Sequence, residues 1–569
     1  MSEQNITGFP SIDKPWLKYY SEEAINVPLP NGSMYEFLYN SNKNRLKNIS
    51  LKYFGNNISY KEMFKNIKIV AKALAAHGIK RGDVVSILSL NTPETTYVIY
   101  ALNLIGAIAN LLTANMTYGE IEENISETNS KLLFVLDRMT DVLENVSFQI
   151  PIIELPIANS AAGFEKIVLD FCEIKHFTIN RHQTYNNFIS KQGDIQETPE
   201  DLTNAPAVII YTSGTTGSPK GVVLSNVNIN SCAVQCSVSG KKYRPEQSFL
   251  NILPPFFSFG ICMKHLCLYA GMTEIAVLIP KEKTVIGMIK KYRPERFVVG
   301  PAITGVIENY PGNDLSFLSD LTGGGGSISV HKERQLNSIL KAKGAKSRYL
   351  SGYGMTELSA VVSMNYNNVC KEQSVGIPLP LVNVKVCIPG TDTELGYNQE
   401  GELMVSSPGL MMTYFSNEAE TNSIIRSAPN GVRWIHSGDL AKIDSDGFIY
   451  ITGRIKRIFV VKYKDVAYKL FPQRMEETIV QMPEVDKCGV IMQKDVEQCN
   501  IPVVFITSCG QSDNAALKDA VAKRIAKDLP RYYAPKNIVL LDKMPVNSSQ
   551  KIDYRTLERM AAVESERTE

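Results

Sequence analysis

The sequence predicts an α/β protein with a large N-terminal domain of mostly parallel sheets flanked by helices, and a small α+β C-terminal domain. Three observations carry this. The first is the length of 569 residues, which exceeds what one hydrophobic core organises. The second is the strand–helix alternation that runs through the first two-thirds of the chain, the pattern of parallel sheets covered by helices. The third is a change of texture after Gly401, where short strands alternate with turn residues before a compact tail.

Taken in order, Tyr60 to His77 has a helical apolar period and ends at Gly78. Val84 to Leu90 reads as a buried strand, Thr96 to Ile105 as a helix, and Ile108 to Leu112 and Leu132 to Leu136 as further strands. Ala207 to Tyr211, Ile275 to Leu278, Phe297 to Val299 and Arg348 to Leu350 repeat the style. Beyond Gly401, Glu402 to Val405, Ala441 to Ile443 and Phe448 to Ile451 are short strands. The tail adds strands at Val490 to Met492 and Val503 to Thr507, and a helix from Ala515 to Leu529 that Pro530 ends. The domain boundary is placed at Gly453–Lys456, giving domains 1–453 and 454–569.

Composition narrows the function classes. Apolar residues make up 44% and charged residues 21%, ordinary for a globular chain. A formal charge of +2 supplies no basic field for a phosphate backbone, so nucleic acid is not expected as a partner. The ten cysteines form no CxxC pair, and no short-spaced Cys/His cluster suggests zinc. The N-terminus lacks the apolar core of a signal peptide. Tyr97 to Met116 is uncharged, but Asn103, Gly106, Asn110 and Asn115 interrupt it, so a buried helix leading into a buried strand is expected rather than a membrane span. A cytoplasmic location without integral membrane association follows as the expectation; oligomeric state stays open.

The most informative stretch runs from Tyr211 to Val222, directly after the strand Val208-Ile209-Ile210. Gly214, Gly217 and Gly221 free backbone N–H groups, Thr212, Ser213, Thr215 and Thr216 add hydroxyl donors, and Lys220 supplies an ammonium. Such a loop suits a phosphate. It is not the GxxxxGK loop of many nucleotide triphosphatases, because Pro219 stands where the second glycine belongs. A lone glycine-rich loop reads equally well as a polar surface turn, but the full twelve-residue string is much more specific.

The string resembles the phosphate-binding signature of the adenylate-forming superfamily: acyl-CoA synthetases, peptide-synthetase adenylation domains and firefly-type luciferases. Further matches follow in order. Tyr353-Gly354-Met355-Thr356-Glu357 resembles YGxTE, and Trp434 to Leu440 resembles W-x-x-TGD-L. Gly453-Arg454-Ile455-Lys456 resembles GRxK, and Pro545 to Asp553 resembles PxxxxGK-I-D. Gly82-Asp83-Val84, Gly106-Ala107 and Gly401-Glu402-Leu403 are weaker matches. The resemblance covers nearly everything after residue 58 and also implies a distorted β-barrel in the large domain.

Members of this superfamily join a carboxylic acid to ATP, release pyrophosphate, and pass the acyl group to an acceptor. The resemblance implies that Thr212, Ser213, Gly214, Thr215, Thr216, Gly217 and Lys220 hold the β- and γ-phosphates. Thr356 would touch the α-phosphate and Glu357 would ligate Mg²⁺. Tyr353 and Gly354, with Gly324 and Gly325, would frame adenine; Asp439 would accept from the ribose hydroxyls, with Arg454 beside it. Lys551 would bridge the attacking carboxylate and the α-phosphate, and Lys456 marks the hinge of a rotating C-terminal domain.

Two stretches depart from the family pattern. Gln550 replaces the glycine before the catalytic lysine. Arg457 to Pro472 lacks a clear counterpart of the glycine that admits the pantetheine thiol, which leaves coenzyme A or a carrier protein's phosphopantetheine as acceptor. Leu253 to Gly260 resembles LPxFHxxG, with Phe257 in the histidine slot. Phe257 cannot pair with an α-ammonium, so an amino acid is disfavoured. Phe256, Phe257, Phe259, Ile261, Cys262 and Met263 suggest an apolar acid, fatty or aromatic, and equally read as core; Gly260, Gly325 and Gly352 complete the expected pocket. The leading expectation is an acyl-CoA synthetase. The alternatives are a stand-alone adenylation enzyme that loads a carrier protein, and a catalytically silent nucleotide- or acyl-binding protein; a luciferase-like oxygenase ranks lower.

Overall fold

The computed structural model describes residues 6–566 apart from 115, 144–146, 164, 167–168, 170–181, 196–200, 213–219, 301–302, 327, 329, 367, 458, 464–465, 496–498, 511–513 and 548–550. Its elements begin where local chemistry starts them. The helix Tyr60–Ala76 is capped by Ser59, whose hydroxyl accepts from the Glu62 N–H. Met63, Phe64, Ile67, Val70, Ala71 and Leu74 form its buried stripe, and Gly78, at φ 79°, follows its end.

Among the described residues the large domain holds two long sheets. One runs in the order Thr413–Tyr414, Lys220–Ser225, Pro206–Thr212, Ile108–Leu112, Val84–Leu88, Leu133–Leu136, Ile152–Leu155, His182–Thr184. From Pro206–Thr212 to His182–Thr184 every pairing is parallel. The other has a parallel centre of Ser248–Asn251, Thr273–Ala276, Arg296–Val299, Asp320–Gly323 and Tyr349–Tyr353, with antiparallel strands at its edges. The helices Asn226–Val238 and Ser258–Tyr269 join the main core with residues of both sheets. A five-stranded antiparallel sheet, including Gly401–Ser406, Arg433–Ile443 and Ile449–Arg454, stands where the β-barrel was expected.

The uncharged stretch divides as expected. The helix Pro93–Leu104 begins with a Thr92 cap and Pro93, is buried on every side, and leads into the strand Ile108–Leu112. Among the described residues no helix is long and apolar enough to cross a membrane.

Several strands run longer than expected, Val490 to Met492 lying within Val485–Asp495 and Val503 to Thr507 within Cys499–Ser508, and two others differ for identifiable physical reasons. The ladder expected at Ile275 to Leu278 lies at Thr273–Ala276, so Glu274 sits inside a buried strand. Its carboxylate receives the Lys264 ammonium at 2.7 Å on both oxygens and the Asn251 amide at 2.7 Å, a partnership no local pattern reveals. The strand expected at Ala441 to Ile443 runs from Arg433 to Ile443 and carries Ser437-Gly438-Asp439 within it. Gly438 at φ 71° and register shifts on either side fit this turn-like triplet into a ladder.

The small C-terminal domain contains the hairpin Phe459–Tyr463 with Val466–Leu470, and a sheet of Val485–Asp495, Cys499–Ser508 and Asn537–Leu540. The helices Pro472–Val480 and Asn514–Asp528 pack on it around a core of their own.

Candidate active site

The motifs spread along the chain meet at one cleft. Thr212, Lys220, Thr356, Glu357, Asp439 and Arg454 line it, and Lys551 of the C-terminal domain lines it too. Thr212 and Lys220 are paired across two antiparallel strands, so Lys220 opens a strand rather than a helix. Ser213, Gly214, Thr215, Thr216 and Gly217 lie outside the described residues.

Lys220 forms an ion pair with Glu420, and its ammonium stands 5.2 Å from the centre of the Tyr414 ring. The Tyr414 hydroxyl donates to Glu357 Oε1 at 2.7 Å. One side of the cleft therefore links Lys220, at the end of the glycine-rich string, to the buried carboxylate of the Tyr353–Glu357 motif through a single aromatic residue. Burial, with the Glu357 charge beside it, pushes the Tyr414 phenol far above its ordinary value, so it stays a donor. The hydroxyls of Ser258 and Thr356 lie 3.3 Å apart and tie that motif to the start of the helix Ser258–Tyr269. The motif needs its glycine for space: a Cβ at Gly354 would lie 1.3 Å from the Ala360 carbonyl oxygen.

On the other side, buried Asp439 accepts from the Tyr353 hydroxyl at 2.6 Å through Oδ2 and from Arg454 Nε at 2.8 Å through Oδ1. The Asp439 carboxylate holds the Arg454 guanidinium above its ordinary pKa. Burial and the same carboxylate hold the Tyr353 phenol protonated. Tyr353 thus uses its hydroxyl on Asp439 and leaves its ring face to the cleft.

Lys551 sits on a short loop closed by its own backbone. The Asn547 N–H donates to the Lys551 carbonyl at 2.8 Å, the Lys551 N–H donates to Asn547 Oδ1 at 3.1 Å, and Val546 bridges Ile552. Its side chain keeps contact with water, yet the walls of the cleft desolvate it and lower its pKa. Arg454 adds to this by repulsion, whereas Asp439 and Glu357 oppose it. Arg454, Asp439 and Glu357 line the same cleft as Lys551.

Between the lobes the chain changes anchors within a few residues. Arg454 is held by Asp439 of the large domain. Arg457 is held by Glu476 through two bonds, at 3.0 and 2.8 Å, and stacks 3.9 Å over the Tyr554 ring. Ile455 and Lys456 lie between these anchors, in the 3₁₀ turn Ile455–Arg457.

Not every expected pocket residue reaches the cleft. Phe256, Phe257, Phe259 and Met263 line it, as do Gly324, Gly325 and Gly352. Ile261 and Cys262 are wholly buried in the main core. Gly260 packs inside the fold, where a Cβ would lie 1.9 Å from the Pro254 carbonyl oxygen. Phe256 and Phe257 meet edge to face at 4.7 Å. Sequence reasoning missed Tyr414, Glu420, Ser258, Arg457 and Glu476. Tyr414, Glu420 and Ser258 act through partners 57, 200 and 98 residues away, and Arg457 and Glu476 pair across 19 residues; the Asn417 cap of the helix Glu418–Ile424 is a local mark near the first two.

Comparison with known proteins agrees with this geometry. Residues 38–415 match the model of the AMP-binding enzyme family, and residues 474–551 match its C-terminal domain. A probable CoA ligase of Humulus lupulus, CCL5, is 27% identical over 520 residues, 89% of each chain. Luciferin 4-monooxygenase of Photuris pensylvanica is 25% identical over 89% of this chain and 90% of its own. The structure of o-succinylbenzoate CoA synthetase from Bacillus subtilis, in complex with its acyl-adenylate intermediate, superposes with a TM-score of 0.74 at 22% identity, covering 93% of this chain and 98% of that one. With family matches on both sides of the cleft and the motifs gathered inside it, this chain belongs to the AMP-binding family of adenylate-forming enzymes.

Proposed function

We propose that this enzyme activates an apolar carboxylic acid, fatty or aromatic, with ATP and transfers it to a thiol. In the first step a carboxylate oxygen attacks the α-phosphorus of ATP; the acyl–AMP anhydride forms and pyrophosphate leaves. In the second, a thiolate attacks the acyl carbon, a thioester forms and AMP leaves. A free carboxylate resists nucleophiles because it is anionic, and linking it to AMP supplies a stable leaving group. The first step therefore consists of holding two anions together and neutralising charge as it builds on the phosphate.

The residues suit this work. Lys220 would exchange Glu420 for phosphate oxygens, since a point charge serves either anion. Asp439, an acceptor held in place by Tyr353 and Arg454, would take the two ribose hydroxyls. Lys551 would span the carboxylate and the α-phosphate, and the facing cation Arg454 would share that charge. No group of three or more His, Cys, Asp or Glu able to hold a metal occurs among the described residues. Mg²⁺ takes one or two carboxylates with substrate phosphate oxygens and water, and Glu357 would supply the carboxylate. When bound, Mg²⁺ would neutralise phosphate charge.

The observation that carries the reading is Lys551, from the C-terminal domain, lining one cleft with Arg454 at the domain boundary and with Asp439 and Glu357 of the large domain. The experiment is a panel of carboxylic acids assayed for AMP release with and without coenzyme A. AMP release dependent on both acid and coenzyme A is expected. Adenylate that forms but never reaches coenzyme A would assign the acceptor to a carrier-protein phosphopantetheine. That second reading draws on the hairpin Phe459–Tyr463 with Val466–Leu470, which fills the stretch after Arg457 without a glycine. Absence of both AMP release and ATP–pyrophosphate exchange with every acid would contradict both.

A further inference from the structure

Deep in the same cleft lies a charged group that adenylation does not use. Lys241 and Arg296 both bind the single carboxylate of Asp320, and all three line the cleft. Lys241 Nζ donates to Asp320 Oδ1 at 2.7 Å and to the Thr322 hydroxyl. Arg296 donates to Asp320 Oδ2 at 2.7 Å, to Gln247 Oε1 at 3.1 Å and to the Lys242 carbonyl at 2.6 Å. Its guanidinium stacks 4.1 Å from the centre of the Tyr243 ring.

The group is not balanced. Two cations share one anion, and Lys241, Arg296 and Asp320 are 8%, 5% and 9% exposed. A triad that served only to join secondary-structure elements would gain by being neutral, because an uncompensated buried charge is costly. Donors are also left over. Lys241 has used two of its three N–H groups on these partners, and Arg296 three of its five.

Its position along the sheet gives it a use. Arg296 lies opposite Asp320, and Val298 opposite Thr322, on neighbouring parallel strands. Side chains alternate between faces, so Asp320 and Thr322 share a face, and Gly324 follows the end of their strand. At a rise of about 3.3 Å per residue, Thr322 lies about 7 Å and Asp320 about 13 Å below Gly324. Phe249, opposite Arg296, and Met263 line the cleft with them. An acid whose carboxylate reacts near the nucleotide end would extend past apolar walls and end at two cations.

We propose that the preferred substrate carries a second, anionic group at its far end, bound by Lys241 and Arg296. This rests on the acid-activating reading above and refines it: the acid has an apolar body and two charged ends. Charge-assisted bonds from both cations, formed away from bulk water, discriminate against a partner that lacks the anion.

The test compares suberate with octanoate, and terephthalate with 4-methylbenzoate, by AMP release and by thermal shift without ATP. The dianion is expected to show a kcat/KM at least about tenfold higher, equivalent to about 1.4 kcal/mol. Lys241→Met is expected to lower the suberate-to-octanoate ratio of kcat/KM at least about tenfold, and Lys241→Arg to hold it within about threefold of wild type. A wild-type preference for the monoacids, or an unchanged ratio in Lys241→Met, overturns the proposal. If Lys241→Met does not fold, the wild-type comparison still decides. Stabilisation by suberate with neither AMP release nor ATP–pyrophosphate exchange from any acid keeps this site and refutes acid activation; no stabilisation, no AMP and no exchange overturns both.

Discussion

Lys551 and Asp439 carry the sharpest consequences for single side chains. Lys551→Ala is expected to reduce acid-dependent ATP–pyrophosphate exchange by about two to three orders of magnitude, the scale of losing one preorganised charge. ATP affinity by calorimetry should stay within about threefold, because Lys551 faces the reacting centre and not the whole nucleotide. The cleft lowers the Lys551 pKa through desolvation first and Arg454 second, and only the protonated form bridges two anions. In the free enzyme, kcat/KM should therefore fall with rising pH below the ordinary lysine range, and Lys551→Arg should move that limb upward. An alkaline limb identical in wild type and Lys551→Arg would assign it to another group. Asp439→Ala removes a buried acceptor and leaves Arg454 without its carboxylate. ATP affinity should drop about 10- to 150-fold, from 1.5–3 kcal/mol of charge-assisted bonding; equal affinity would remove Asp439 from the nucleotide site. Both residues were legible because each sits in a motif with fixed neighbours. Tyr414 and Glu420 were not, because their contacts with Glu357 and Lys220 span 57 and 200 residues.

Among secondary-structure elements, the pin between the helix Ser258–Tyr269 and the strand Thr273–Ala276 is the most exacting. Lys264 and Glu274 have side chains only 2% and 0% exposed, and Thr96 and Asn251 complete the group. Lys264→Met would leave a buried carboxylate without its cation, and a loss of about 3–5 kcal/mol of stability is expected in denaturant unfolding. A loss below about 1 kcal/mol would mean that Glu274 takes up a proton or finds water. The parallel strands Val84–Leu88, Ile108–Leu112 and Leu133–Leu136 were readable as apolar runs because both faces are covered. The strand Thr273–Ala276 was displaced in that reading because its glutamate looks like a boundary until Lys264 is placed. Arg433–Ile443 was shortened because Ser437-Gly438-Asp439 has turn composition; a bulge, which local propensity does not express, carries it through the ladder.

For the whole molecule, Arg454 is anchored to one lobe and Arg457 to the other, so a rotation between lobes would have to be absorbed at Ile455 and Lys456. Lys456→Pro fixes φ at that joint. It should leave ATP–pyrophosphate exchange within about threefold while slowing thioester formation at least about tenfold, if the second step needs a different pose. Equal slowing of both steps would place the joint elsewhere. The boundary at residues 453–456 is proposed from Gly453-Arg454-Ile455-Lys456, and the pair of anchors on either side of it belongs to the folded chain. The convergence of both lobes on one nucleotide is addressed most directly by a crystal structure with ATP and Mg²⁺. Asp439 is expected within hydrogen-bonding distance, about 2.7–3.2 Å, of the ribose hydroxyls, and Lys220 and Lys551 in contact with phosphate oxygens of the same molecule. A bound ATP that touches Lys220 but leaves Asp439 and Lys551 to solvent would contradict it.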